Sequence, residues 1–119
     1  MAIWGDNSAE WMTAEISCHA FTMTSVSVYA TLGPTAASFI VADAGCKVLV
    51  VGHETLPKVP DMLRGEEYAK NPGKALQLVV VMGKGDAKII SELEGMKLTV
   101  VSFDSCVNEF KDKLEKDEP

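Results

Sequence analysis

A chain of 119 residues with 47% apolar content can bury one core but hardly two. Eleven basic against seventeen acidic residues leave a formal charge of −6, which argues against nucleic acid as a partner, because phosphate backbones need a basic footprint. Cys18, Cys46 and Cys106 are odd in number and widely spaced, and with only His19 and His53 as imidazoles they write neither a disulfide framework nor a metal site.

In chain order, AIWG (2–5) reads as a first strand, and GDNS (5–8) reads as the cap of the helix after it. Asn7 or Ser8 would accept backbone N–H groups, with Glu10 in the first helical turn. An acid at the end of a first strand also suits a phosphoacceptor receiver domain. That reading fails, because VVGH and VVSF stand where the third and fifth strands of such a domain need an aspartate and a lysine.

The first helix is expected over Ser8–Thr22. At about 100° per residue, Trp11, Ala14, Cys18 and Phe21 share one arc, and Met12, Ile16, Ala20 and Met23 fall on nearly the opposite one. A helix apolar on two faces should be sandwiched between two layers, so self-association through helix 8–22 is expected if one layer is missing. His19 lies within this helix, and neither it nor His53 can be joined to a nucleophile and an orienting acid, so both are expected to be structural.

SVSVYA (25–30) is the second strand, and VYATLGPTAA (28–37) turns it into a helix. Gly33 is expected to allow a sharp turn, and Pro34 suits a first helical turn, where its missing N–H is not needed. KVLVVG (47–52) and LQLVVVMG (76–83) are the third and fourth strands. MGKGDAK (82–88) has two glycines of a dinucleotide-binding turn but Lys88 in place of the third. It is better read as a plain turn with Asp86 capping a helix. LTVVSF (98–103) is the fifth strand. NEFKDKLEKDEP (108–119) is a solvated helix fraying into a tail, laced by the i to i+4 pairs Glu109–Lys113 and Asp112–Lys116.

Strand alternates with helix five times, and continuous apolar runs mean strands covered on both faces. The expected fold class is therefore α/β: three layers, with a mainly parallel five-stranded sheet between helices, residues 1–119 forming a single subdomain. Ligands collect at the carboxyl ends of such strands, where Tyr29, Thr31 and Gly33 stand. The absence of a span-length apolar run or of a basic leader ahead of one predicts no membrane span and an intracellular chain, cytoplasmic or peripheral to an organelle membrane.

The stretch from Asn7 to Val51 resembles the early part of AMP-forming long-chain fatty acyl-CoA synthetases. The resemblance rests on Asn7, Glu10 and Trp11, on Ala14 and Glu15, and on Tyr29, Thr31, Leu32, Gly33 and Pro34 ahead of an Ala-rich helix. Ala30 and Thr35 stand where members commonly carry acids, and after Gly52 the likeness thins to LQLVVVMG and LTVVSFDSCVNEF. The resemblance implies a Rossmann-like subdomain of an enzyme that adenylates a fatty acid with ATP and Mg and passes the acyl group to CoA. Tyr29, Thr31 and Gly33 would then edge the site for the nucleotide end of CoA. The family's Ser/Thr/Gly-rich phosphate loop, its Tyr-Gly-x-Thr-Glu stretch and its small C-terminal domain have no counterpart in these residues, so no catalytic residue is assigned. The expectation is a piece of an amino-terminal domain, inactive alone, with the remainder of the parent ligase as its partner. The competing reading is a stand-alone α/β binding or scaffolding domain.

Overall fold

The computed structural model describes residues 1–70 and 76–117, without the side chains of residue 67 and residues 114–117. Five strands, β1 (Ala2–Trp4), β2 (Val26–Val28), β3 (Val48–Gly52), β4 (Leu78–Met82) and β5 (Thr99–Ser102), form one sheet in the order β2-β1-β3-β4-β5. Every pairing is parallel, with Val50 of β3 set between Ile3 and Val80. The helices are α1 (Ala9–Ala20), α2 (Pro34–Ala44), α3 (Val59–Leu63), α4 (Glu66–Ala69), α5 (Ala87–Gly95) and α6 (Phe103–Asp117), with a 3-10 turn at Leu56–Lys58. The α/β class, the parallel five-stranded sheet and the three layers match the expectation from the strand pattern.

The alternation of side chains along each strand divides the core in two. Ala2, Trp4, Leu49, Val51, Val79 and Val81 point to one face, where they meet Ala37 and Val41 of α2, Val59 and Met62 of α3, and Leu93 of α5. Ile3, Val50 and Met82 point to the other, where Ala14 of α1 and the flanking Trp11 and Phe103 cover them. The chain steps from β1 outward to β2 through α1, then back past β1 to β3 through α2. Crossovers of one hand running in opposite directions place their helices on opposite faces, and that is where α1 and α2 lie.

Local chemistry explains where the helices begin and end. Ser8 caps α1 by accepting the Trp11 N–H at 3.0 Å, and Asp86 caps α5 by accepting the Lys88 N–H at 2.8 Å, so GKGDAK is the capped turn its composition indicated. Pro34 occupies the first turn of α2 as expected. Gly33 does not need its conformational freedom: its φ of −76° and ψ of 170° are open to any residue, and an added Cβ would meet nothing within 4 Å. The turn is made by the Leu32 N–H bonding to the Tyr29 carbonyl at 3.0 Å, not by glycine strain.

α1 is shorter than the expected 8–22. It stops at Ala20 because Thr22 takes a left-handed φ of 57° and the Met23 N–H closes on the Cys18 carbonyl at 2.8 Å. Phe21, at the C-cap, does not join Trp11, Ala14 and Cys18 in a covered arc and stands in solvent, 76% exposed. The final helix starts at Phe103, ahead of the charged run that predicted it, and the Lys113 Nζ donates to Glu109 at 3.2 Å. The Asp112–Lys116 pair and the tail beyond residue 117 lie outside the described residues.

Candidate functional site

The carboxyl ends of β1, β2, β3 and β4 share one rim of the sheet. Because β1 leads to β2 on one side and lies beside β3 on the other, the strand order reverses at β1, and a crevice opens there. The loop Gly5–Ser8 between β1 and α1 divides this crevice into two clefts.

The first cleft, about 400 Å³, is lined by Asp6, Asn7, Ser8, Glu10, Gly52, His53, Glu54, Met82 and Gly83. Glycines end three of the strands here, and a Cβ on any of them would meet a close neighbour. A Cβ on Gly5 would come 3.0 Å from the Gly52 nitrogen, one on Gly52 would collide with the Glu54 carboxylate, and one on Gly83 would lie 2.5 Å from the His53 Nδ1. Gly83 also has a φ of +86°, a conformation that L side chains rarely adopt.

That space lets Glu54 fold back over the crevice. Its Oε1 accepts the Asp6 N–H at 3.1 Å and its Oε2 lies 3.2 Å from the His53 Nδ1, so one carboxylate ties the β1–α1 loop to the end of β3. Partial burial pushes the Glu54 pKa up, but the Asp6 N–H, its own N–H and the His53 charge together hold it below the ordinary value of 4.5. A carboxyl whose folded pKa is depressed adds stability at pH above its unfolded value, and that stability is lost as pH falls through the folded value. Glu54→Gln is therefore expected to lower the urea midpoint at neutral pH and to match the parent chain at acid pH, once Glu54 is protonated in both the folded and the unfolded chain, as a series of urea melts across that range would show. An equal difference at both ends would rule out the charge as its cause.

The second cleft, about 390 Å³, lies between β1 and the edge strand β2 and is lined by Gly5, Asp6, Asn7, Trp11, Ser27, Val28, Tyr29, Ala30 and Thr31. Its far wall is held by backbone. The Trp4 Nε1, from the buried core, donates to the Tyr29 carbonyl at 3.1 Å, and the Lys58 Nζ donates to the Ala30 carbonyl at 3.2 Å. With its carbonyl held inside, Tyr29 is 74% exposed, and it lines the cleft together with Trp11.

The structure thus brings Tyr29 and Thr31 together in the second cleft, while Gly33 sits apart as the N-cap of α2. Sequence reasoning missed Glu54, Gly52, Gly83 and Trp11 as crevice residues. The signal that could have found the strand-end glycines is the glycine closing each of the runs AIWG, KVLVVG and LQLVVVMG. His53, expected as a structural histidine, instead pairs with Glu54 at the mouth of the first cleft, with its side chain 60% exposed. His19 is an exposed partner of Glu15 at 3.1 Å on α1 and lines neither cleft. Among the described residues no group of three His, Cys, Asp or Glu side chains is placed to hold a metal ion, and no helix is long and apolar enough to cross a membrane.

A family model described as AMP-binding enzyme matches residues 1–116. A long chain acyl-CoA synthetase 7 of Arabidopsis thaliana, described as peroxisomal, is 30% identical over 91% of this chain and 14% of its own length. A long-chain-fatty-acid–CoA ligase 5 of Mus musculus is 25% identical over the whole of this chain and 17% of its own length. A long-chain-fatty-acid–CoA ligase 6 of the same species is 34% identical over 69% of this chain and 11% of its own length. No solved structure matches significantly. The chain thus spans less than a fifth of each of these relatives, as the 17% coverage of the mouse ligase 5 illustrates.

Proposed function

This chain belongs to the AMP-binding enzyme family, and from that premise we propose that it supplies the early α/β layer of a long-chain fatty acyl-CoA synthetase. The parent enzyme would join a fatty acid to AMP at the expense of ATP, releasing pyrophosphate, and then pass the acyl group to the thiol of CoA. The observation that carries this reading is the family match over residues 1–116 together with relatives whose names all specify long-chain acyl-CoA formation.

The two clefts differ in what they suit. Asp6, Glu10 and Glu54 line the first, and three carboxylates repel a triphosphate, so these residues do not fit ATP. The Ser/Thr/Gly-rich phosphate loop has no counterpart in this sequence either. Adenylation and its Mg therefore belong to the remainder of the parent ligase, the partner this chain requires, and the chain alone is inactive.

The second cleft fits a nucleobase better. Trp11 and Tyr29 offer aromatic faces, while Asn7, Ser27 and Thr31 offer neutral hydrogen-bonding groups. Tyr29 and Thr31 would form the edge of the site for the nucleotide end of CoA, with Gly33 acting only by starting α2 behind them.

Titration calorimetry on the 119-residue chain tests both halves of the reading. Coenzyme A is expected to bind weakly, in the millimolar range, and Tyr29→Ala to weaken it about fivefold or more, the equivalent of about 1 kcal/mol of lost stacking. Mg-ATP is expected to give no micromolar binding and, with palmitate, no acyl-adenylate. Stoichiometric ATP binding at micromolar concentration would overturn the assignment and make GKGDAK the phosphate turn.

A further inference from the structure

We propose that the segment after β3, residues 53–58, is a brace that sets the width of the second cleft, which makes Glu54 and Lys58 positioning residues for the ligand bound there. The proposal rests on the reading of that cleft as the site for the nucleotide end of CoA. Neither residue lines the cleft. Each instead holds one of its walls by a backbone atom.

The walls are loops, with Asp6 and Asn7 of the β1–α1 loop on one side and Tyr29, Ala30 and Thr31 of the β2–α2 turn on the other. β2 is an edge strand of three residues, so no further strand supports that turn from outside. Two loose rim loops would have to be ordered by the ligand as it bound, at the expense of affinity. The segment after β3 reaches both. The Glu54 Oε1 accepts the Asp6 N–H at 3.1 Å, 48 residues away in sequence, and the Lys58 Nζ donates to the Ala30 carbonyl at 3.2 Å, 28 residues away. An anion takes a backbone donor of one wall, and a cation gives a proton to a backbone acceptor of the other. Hydrogen bonds with an ionised partner are roughly twice as strong as neutral ones, which suits them to fixing loops.

The brace starts from a firm base. Thr55, Leu56 and Val59 are buried, the Thr55 N–H bonds to the Gly52 carbonyl at 3.0 Å, and the Lys58 N–H bonds to the Thr55 carbonyl at 2.9 Å. Length matters too: β2 lies two strands from β3, about 10 Å across the sheet, so reaching Ala30 calls for a long side chain. A surface lysine ordinarily keeps its ammonium in water, yet Lys58 is half-buried and commits a donor to a main-chain carbonyl. The Trp4 Nε1, bonded to the Tyr29 carbonyl, ties the same turn to the core.

Amide NMR on the full 119-residue chain is the test, by titration with CoA and separately with adenosine, and by hydrogen exchange in the free chain. Lys58→Met and Glu54→Ala are each expected to weaken both ligands about fivefold, because a displaced wall acts on any ligand of the cleft, phosphorylated or not. Lys58→Arg keeps a long cationic donor and should restore most of the affinity. In the free chain Lys58→Met should speed exchange of the Leu32 amide, which bonds to the Tyr29 carbonyl, and leave the amides of β3 and β4 unchanged. If either variant does not fold, Lys58→Gln and Glu54→Gln read the same quantities. Unchanged affinity for CoA in both variants would overturn the brace and leave the CoA reading standing. A loss for CoA but not for adenosine in Lys58→Met would make Lys58 a phosphate contact and overturn its positioning role. If the parent chain binds neither ligand, the CoA reading falls, and Leu32 exchange then decides the brace alone: faster in Lys58→Met supports it, and an unaltered rate removes it.

Discussion

Replacing Trp4 by alanine is expected to remove about 3–5 kcal/mol of stability, more than the loss of any other single side chain of the core. Trp4 is fully buried at the carboxyl end of β1, one strand in from the sheet edge, and belongs to the core cluster that side chains of β3 and α2 also build. Its loss also removes one of the two hydrogen bonds to the Tyr29 carbonyl, the one from the Trp4 Nε1 at 3.1 Å, and leaves the one from the Leu32 N–H at 3.0 Å, which adds a further cost of about 1 kcal/mol. A domain of this size is stable by about 5–15 kcal/mol in all, so Trp4→Ala should melt at least 10 °C lower, if it folds at all. Trp4→Phe separates the two effects, because it retains most of the apolar volume and none of the hydrogen bond. A urea midpoint for Trp4→Ala within error of the parent chain would show that the β1–β2 end of the sheet contributes nothing to cooperative folding.

The same tryptophan joins stability to the proposed site. By holding the Tyr29 carbonyl it fixes the wall of the second cleft, so Trp4→Phe is also expected to loosen the Tyr29–Thr31 turn.

The second large effect is expected at Gly83, where alanine must adopt a φ of +86° and place its Cβ 2.5 Å from the His53 Nδ1. Left-handed backbone costs an L residue about 1–2 kcal/mol, and the displaced imidazole loses its contact with Glu54. Gly83→Ala should therefore lower the melting temperature by roughly 4–8 °C per kcal/mol lost. A double-mutant cycle with His53→Ala divides the cost: the steric part vanishes when the ring is gone, and the backbone part stays. If the cycle shows full additivity, the close approach of Gly83 to His53 is not what makes glycine necessary there.

Much of this architecture was legible along the chain because it depends on neighbours in sequence. Continuous apolar runs such as VLVV cannot sit on a half-solvated sheet, and that alone implied strands covered on both faces, hence a parallel α/β fold. Ser8, Asp86 and Pro34 act within one helical turn of themselves, so their capping roles were readable from spacing. The two apolar faces of the first helix were equally plain from its 3.6-residue period.

Tertiary structure decided what depends on residues far apart. Strand order placed β1 beside β3, which sets Gly5 against Gly52 and lets Glu54 reach across to the Asp6 N–H, and placed β3 beside β4, which sets Gly83 against His53. A glycine read locally suggests a turn, yet Gly33 holds an ordinary extended conformation. Gly83 makes room for His53 and Gly5 for the Gly52 backbone, neighbours that only folding brings near, whereas Gly52 makes room for Glu54, two residues along the chain. Phe21 also stands in solvent and not on the buried arc, at the C-cap where the helix ends. Periodicity and capping are short-range, and a chain declares them residue by residue. Which strand ends share a crevice is set by the burial of all five strands at once, and no local stretch contains it.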